Sequence, residues 1–259
     1  MGFLNNLFGQ KKYSEDWNFY LTEIDGKKNS IRLNLDLKKS IPIKEKPNLS
    51  WISVKLNSPT DNGLTSNDES EILFKMEDHL LDKISSRNSL HIGILTTAGR
   101  RNFYFYSKNA DVFKTEAEKA TKEYPKYEML VHSKEDKNWN TYLGLYPNEI
   151  DFQSISNRSV LENLEKNGDN LKKAREVFHW IYFGNEIERK KYIDEVVKEN
   201  FEIVEENYNI EIELPFGLQI KRIDHVDYNN IDEYTLYLWQ LAKKYGADYD
   251  GWETSVEKD

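Results

Sequence analysis

The chain has no cysteine among its 259 residues. That absence removes disulfide frameworks, thiolate nucleophiles and cysteine-ligated zinc together, and it is compatible with a reducing compartment. No apolar run approaches the roughly 20 residues needed to span a bilayer. The opening "MGFLNNLFGQKK" lacks both a sustained apolar segment and a small-residue cleavage site, so a cytoplasmic protein with no membrane segment is expected. Asn6 stands where a myristoylation pattern calls for Ser or Thr. Phe3, Leu4, Leu7 and Phe8 could line a short apolar helix face that is docked or disordered, or that attaches to a membrane or a partner.

Positive charge is also in deficit. Lys and Arg number 36 against 45 Asp and Glu, a net charge of −9. A broad nucleic-acid footprint needs a clustered basic face, so direct nucleic-acid binding is disfavoured and a protein partner with basic surface fits better. There is no Gly-x-Ser-x-Gly, P-loop or dinucleotide glycine pattern. The five histidines, His79, His91, His132, His179 and His225, show no HxH or HExxH spacing. No metal site and no cofactor are therefore expected, and carboxylate spacing says little in a chain with so many acids. The reading is of a protein that is not an enzyme.

What is present is aromatic weight and regular patterning. Sixteen Tyr and six Trp can bury large areas, and the length suits two domains of ordinary size. "DWNFYLTEID", "SIRLNLDL" and "WISVKLN" read as strands. Ser66 to Glu69 has the form of a capping box, and Leu73, Met76, Leu80 and Ile84 follow at helical spacing. "SLHIGILTT" and "RNFYFYS" read as a hairpin around Ala98-Gly99. Asn109 caps a helix with Phe113, Ala117, Ala120 and Tyr124 inward, and "YEMLVHS" closes the half as a strand.

After "LYPNE" comes a polar stretch with a short helix, "RSVLENLEKNG", ended by Gly168. "REVFHWIYF" reads as a strand and "EIERKKYIDEVVKEN" as a helix burying Ile187, Ile193, Val196 and Val197. "FEIVEENYN" and "GLQIKRIDHV" supply strands, with "IEIELPF" either an extension or a loop. The final helix presents Ile231, Tyr234, Leu238, Leu241 and Tyr245, and a terminal strand follows at "DYDGWE". Both halves thus read β-α-β-β-α-β. The expected fold class is α+β: two ferredoxin-like βαββαβ sandwiches in tandem, the first with extra N-terminal strands, over residues 13–150 and 157–255. Identity between the halves is not evident.

"LAKKYGADYDGWE" resembles the C-terminal signature of the bacterial regulator of ribonuclease E activity, B type, most specifically at Tyr249, Asp250, Gly251 and Trp252. "VLENLEKNGDN" and "REVFHWIYF" are similar to that family's first helix and first strand. The N-terminal half, through "DWNFYL", Asp61 to Leu64, "RNFYFYS" and "NWNTYLGLYP", resembles an uncharacterised bacterial domain family often fused to such a regulator. The resemblance implies a non-catalytic protein that binds a protein partner, a ribonuclease in the family, and lowers RNA cleavage. Two departures stand out. The family's best-known members carry a long acidic tail and often Gly-Gly before the signature, whereas this sequence has "TSVEKD" and Gly246-Ala247.

Two sets of residues are candidates for function. Asp248, Tyr249, Asp250, Gly251, Trp252 and Glu253 are either a turn with both aromatics packed beneath a sheet edge, or a partner-binding corner of aromatics ringed by carboxylates. Both hold if Trp252 is buried and the acids face out. Arg100, Arg101, Phe103, Tyr104, Phe105 and Tyr106 form the RNA alternative, with bases stacked on one aromatic pair and phosphates held by the arginines. Against it, one pair would be core, the other covered, and the arginines solvated. A third alternative is an enzyme with a site in the groove between the domains. Oligomeric state is not legible.

Overall fold

Alternating side chains place the first half of the chain in one sheet. The computed structural model describes residues 13–24, 26–228 and 230–258, so the apolar stretch Phe3, Leu4, Leu7 and Phe8 lies outside the described residues. The chain divides into two units between Pro147 and Asn148. Together they give a mixed α and β protein with antiparallel sheets of six and four strands.

In the first unit the strands are β1 (Trp17–Ile24), β2 (Lys27–Asn34), β3 (Asn48–Lys55), β4 (Ser89–Thr97), β5 (Arg100–Ser107) and β6 (Met129–Glu135). They lie in the order β1-β2-β4-β5-β3-β6. Helices α1 (Asn67–Lys83) and α2 (Ala110–Thr121) provide the crossovers. The expected stripe Leu73, Met76, Leu80 and Ile84 is buried against Ile52, Val54, Phe103 and Phe105. Each such side chain contributes about 1.5–3 kcal/mol when fully buried. The β4-β5 turn has positive φ at both Ala98 and Gly99, as the right-handed twist of a tight hairpin demands.

Two local expectations fail here for identifiable reasons. Ser66 is the N-cap of α1 but its side chain makes no capping bond. Glu69 instead accepts from the Asn57 and Ser58 amides at 2.8 and 3.1 Å, which ties the loop after β3 rather than closing a capping box. "LDL" does not extend β2; Leu35–Lys39 is a 3-10 turn burying Leu35 and Leu37. The short α3 (Asn140–Gly144), preceded by Trp139 in a left-handed conformation, is held by Asp136, which accepts from the Asn140 and Thr141 amides and the Tyr106 hydroxyl.

The second unit begins with α4 (Glu149–Lys166), longer than the short helix expected. The polar stretch after "LYPNE" is its first two turns, launched by a formed capping box of Asn148 and Asp151. Strands β7 (Ala174–Phe183), β8 (Glu202–Tyr208), β9 (Phe216–His225) and β10 (Asp248–Thr254) take the order β10-β7-β9-β8. Helices α5 (Glu186–Val196) and α6 (Ile231–Lys244) fill the crossovers. α6 buries Ile231, Tyr234, Leu238 and Leu241 as its spacing implies.

α5 differs from its expected face. Ile187 is 67% exposed and Val197 52%, while Arg189, Tyr192 and Val196 point inward. Tyr192 covers more area than an isoleucine and donates its hydroxyl to the Leu238 carbonyl at 3.2 Å. Arg189 finds the Asn207 and Gly217 carbonyls and Glu206, so its charge is tolerated inside. Partners from distant strands outweigh the simple apolar count.

A buried ion pair, Asp169 with Arg175, ties α4 to the start of β7. Asp169 also accepts from the Leu171 and Glu257 amides, each at 2.8 Å. Bonds from Arg175, against the opposing effect of burial, pull its carboxyl from 3.8 down to about 2. A depressed carboxyl contributes stability that is complete above its unfolded value and vanishes as pH falls through the folded one. We expect the resistance of the second unit to urea to fall steeply between pH 4 and 2. Asp169→Asn, which strands a buried guanidinium, should cost about 3–5 kcal/mol at pH 7 and flatten that pH dependence. Equal slopes in wild type and variant would rule the pair out as its source.

Candidate functional site: the sheet face of the second unit

The stretch from Asp248 to Glu253 is an edge strand with a bulge, not a turn. Tyr249 pairs with Ile181 and Gly251 with Trp180, so Asp250 is an extra residue in the ladder. Gly251 has φ +120°, a conformation that side chains resist. In a regular strand residues 249 and 252 would face opposite sides; the extra residue turns both inward. It equally turns Asp248 and Glu253, five apart, to the outer face.

Tyr249 and Trp252 are accordingly buried, at 6% and 8% exposure. The anticipated exposed aromatic anchor is corrected on this point, since the two rings are structural supports. Trp252 donates its indole N–H to Asn157 Oδ1 at 2.8 Å. Asn157 in turn donates to Asp232 and Thr235 at 2.6 and 2.7 Å, which joins α4, α6 and β10. The Tyr249 hydroxyl lies 2.8 Å from His179 Nδ1. Burial, with the nearby Arg222 charge, lowers His179 to about 3, and burial raises Tyr249 well above the usual phenol range. Burial thus favours the neutral form of both groups.

Asp248, Asp250 and Glu253 remain exposed. What they border is the outer side of β7, where Phe178, Trp180 and Tyr182 stand in one column, each partly exposed. Cross-strand partners share a face, and Asp248 is opposite Tyr182, Gly251 opposite Trp180 and Glu253 opposite Phe178. On the other flank Lys221 lies opposite Phe178, 5.9 Å from its ring, and bonds Glu176 at 2.5 Å. The inward residues Val177, Ile181 and Phe183 pack into the unit's core. The column was missed in the sequence because "VFHWIYF" is apolar on both faces. The one signal was its continuous aromatic alternation.

The RNA alternative is largely corrected by burial. Phe103 and Phe105 are core, and Tyr106 is sealed under Trp139, with ring centroids 3.7 Å apart. Tyr104 alone of the four is partly exposed. Arg100 is fixed by Ser53 and Glu128. Arg101 is mostly shielded, 3.6 Å from Glu77, and desolvation lowers it to about 10. Neither arginine is a freely solvated turn charge. Among the described residues no three His, Asp or Glu side chains converge as a metal site, and no helix is long and apolar enough to cross a membrane.

Residues 15–146 match the family of unknown function DUF695, and residues 154–254 match the regulator of ribonuclease activity B. No curated protein matches. The crystal structure of an unknown protein from Galdieria sulphuraria is similar over 82% of this chain and 99% of that one, at 10% identity and a TM-score of 0.21; so loose a superposition carries no argument.

Trp252→Ala should cost the second unit about 3–5 kcal/mol in urea unfolding, because it empties a buried site and strips Asn157 of its donor. Gly251→Val should cost about 1 kcal/mol or more through its positive φ. Asp250→Ala and Glu253→Ala, at exposed positions, should stay within about 0.5 kcal/mol of wild type. A Trp252→Ala protein as stable as wild type would refute the supporting role.

Proposed function

The chain belongs to the family of unknown function DUF695 and carries a regulator of ribonuclease activity B match at its C-terminal end, and on that premise we propose that it is a non-catalytic regulator that binds a ribonuclease and slows RNA decay. The observation that carries this reading is the acid-bordered aromatic column of the regulator-like unit. Phe178, Trp180 and Tyr182 supply apolar area with few rotatable bonds, and Asp248 and Glu253 line one side of it, with Asp250 exposed at the bulge between them. That combination suits a segment rich in Arg and Lys, whose stems and guanidinium planes lie on rings while their charges meet carboxylates.

The reading extends to the architecture and the setting. Each unit is taken as a ferredoxin-like sandwich, the first with a strand pair added in front, and the working domain limits are 13–150 and 157–255. The setting is taken as the bacterial cytoplasm. In each unit the last four strands follow one pattern, with β3 and β5 central in the first and β7 and β9 in the second, which supports a common plan. Carboxylates at the rim of an interface act mostly on encounter rate and salt dependence, while buried aromatics set residence time.

The test is capture from nuclease-treated lysate with wild type, Trp180→Ala and Asp250→Ala/Glu253→Ala, followed by RNA cleavage assays with the ribonuclease recovered. Wild type should retain a ribonuclease and slow its cleavage. Trp180→Ala should weaken binding about tenfold or more, and the double acid variant should lose most of its salt dependence. Undiminished capture by both variants, or a cleavage rate unchanged by wild type, would remove this surface from the mechanism.

A further inference from the structure

We propose that the outer face of the first unit's sheet binds single-stranded RNA by stacking bases on Tyr104 and His132, the two ends of a row of rings with Trp51 in the middle. The three side chains sit at matching positions on three adjacent strands: Trp51 on β3 is opposite Tyr104 on β5 and opposite His132 on β6. Trp51 and His132 are stacked with centroids 4.8 Å apart and planes 25° from parallel, and Tyr104 follows at 6.2 Å and 39°. All three are partly exposed.

Alternation explains why this face carries rings that the core does not consume. Ile52, Val54, Phe103 and Phe105 point to α1 and α2, so their neighbours Trp51 and Tyr104 must point away. One end of the outer face is closed by the Tyr106–Trp139 stack. Hydrogen-bonded strands about 4.8 Å apart hold Trp51 between the other two rings, so the row offers its end rings, Tyr104 and His132, to roughly two bases. Every base has a π-face, so such a platform tolerates sequence.

Charge selects the occupant. At the outward positions of β3, β5 and β6 the charged residues are Lys55, Arg100 and Lys134, with no Asp or Glu among them, in a chain of net charge −9. Glu128, just before β6, pairs with Arg100 at 3.1 Å and Lys55 at 3.5 Å, and is about half exposed, so a phosphate can compete for both cations. Arg100 is already oriented by Ser53 Oγ at 2.9 Å. The second unit's outer face carries carboxylates instead, which is why a polyanion is assigned here and a basic protein there. This inference does not depend on the identity of the second unit's partner.

The experiment is fluorescence anisotropy of the purified full chain with a labelled mixed-sequence 12-nucleotide RNA, single-stranded and duplex, in low salt. Wild type should bind the single strand and disfavour the duplex. Tyr104→Ala and His132→Ala, both partly exposed and checked for wild-type unfolding midpoints, should each weaken binding about tenfold, as loss of one stacking partner does. Lys55→Gln/Lys134→Gln should reduce the slope of log affinity against log salt by about 1.4, at ~0.7 per phosphate contact. No binding at ~100 µM protein, the weak end of the non-specific range, equal affinity for the duplex, or unaltered binding by both aromatic variants would overturn the proposal.

Discussion

Two crossover helices can cover only one face of an antiparallel sheet, and much of this protein's surface chemistry follows from that limit. Each strand must divide its side chains between a helix-packed face and an outer one. In the first unit, Ile52, Val54, Phe103 and Phe105 satisfy the helices. In the second, Ile181, Phe183, Leu218 and Ile220 do so. The aromatic residues left on the opposite faces are consequences of strand geometry as much as of composition.

The two units deal with the outer face differently. The first covers part of it with the 3-10 turn at Leu35–Lys39 and with α3, fixed by Tyr142 donating to the Asn34 carbonyl at 2.8 Å and by Tyr20 donating to the Leu145 carbonyl. Trp139 then seals Tyr106. The second unit places α4 on the helix side instead, where Leu161 and Leu164 meet Val177, Tyr234 and Trp252. Its outer strip on β7 is left bordered by acids. A single extra residue, Asp250, decides that the acids and not the tryptophan face outward.

Legibility in the sequence varied with the range of the interaction involved. The helical stripe of α1, the Asn109 cap, which accepts from the Asp111 and Val112 amides, and the Ala98-Gly99 turn depend on neighbours within a few residues, and each could be read directly. The Ser66 capping box could not, because Glu69 is drawn away by amides of the preceding loop. The inward face of α5 was misread because Tyr192 and Arg189 find partners on α6, β8 and β9. The length of α4 was underestimated because its first turns bury polar groups, Ser154 and Asn157, against Asp232 some 78 and 75 residues away.

Sequence alone determined the mixed α and β class, the order of the strands and crossover helices, the shared β-α-β-β-α-β pattern, and the acidic, aromatic character of the terminal strand. These follow from local periodicity, charge and turn chemistry. Tertiary structure decided which aromatics are buried and which meet solvent. Tyr249, Trp252, Tyr106 and Phe105 differ from Trp180, Tyr182, Trp51 and Tyr104 in no local property that a linear pattern records. They differ in register, in one bulge, and in what packs above them, because burial is a property of the assembled sheet and not of the residue.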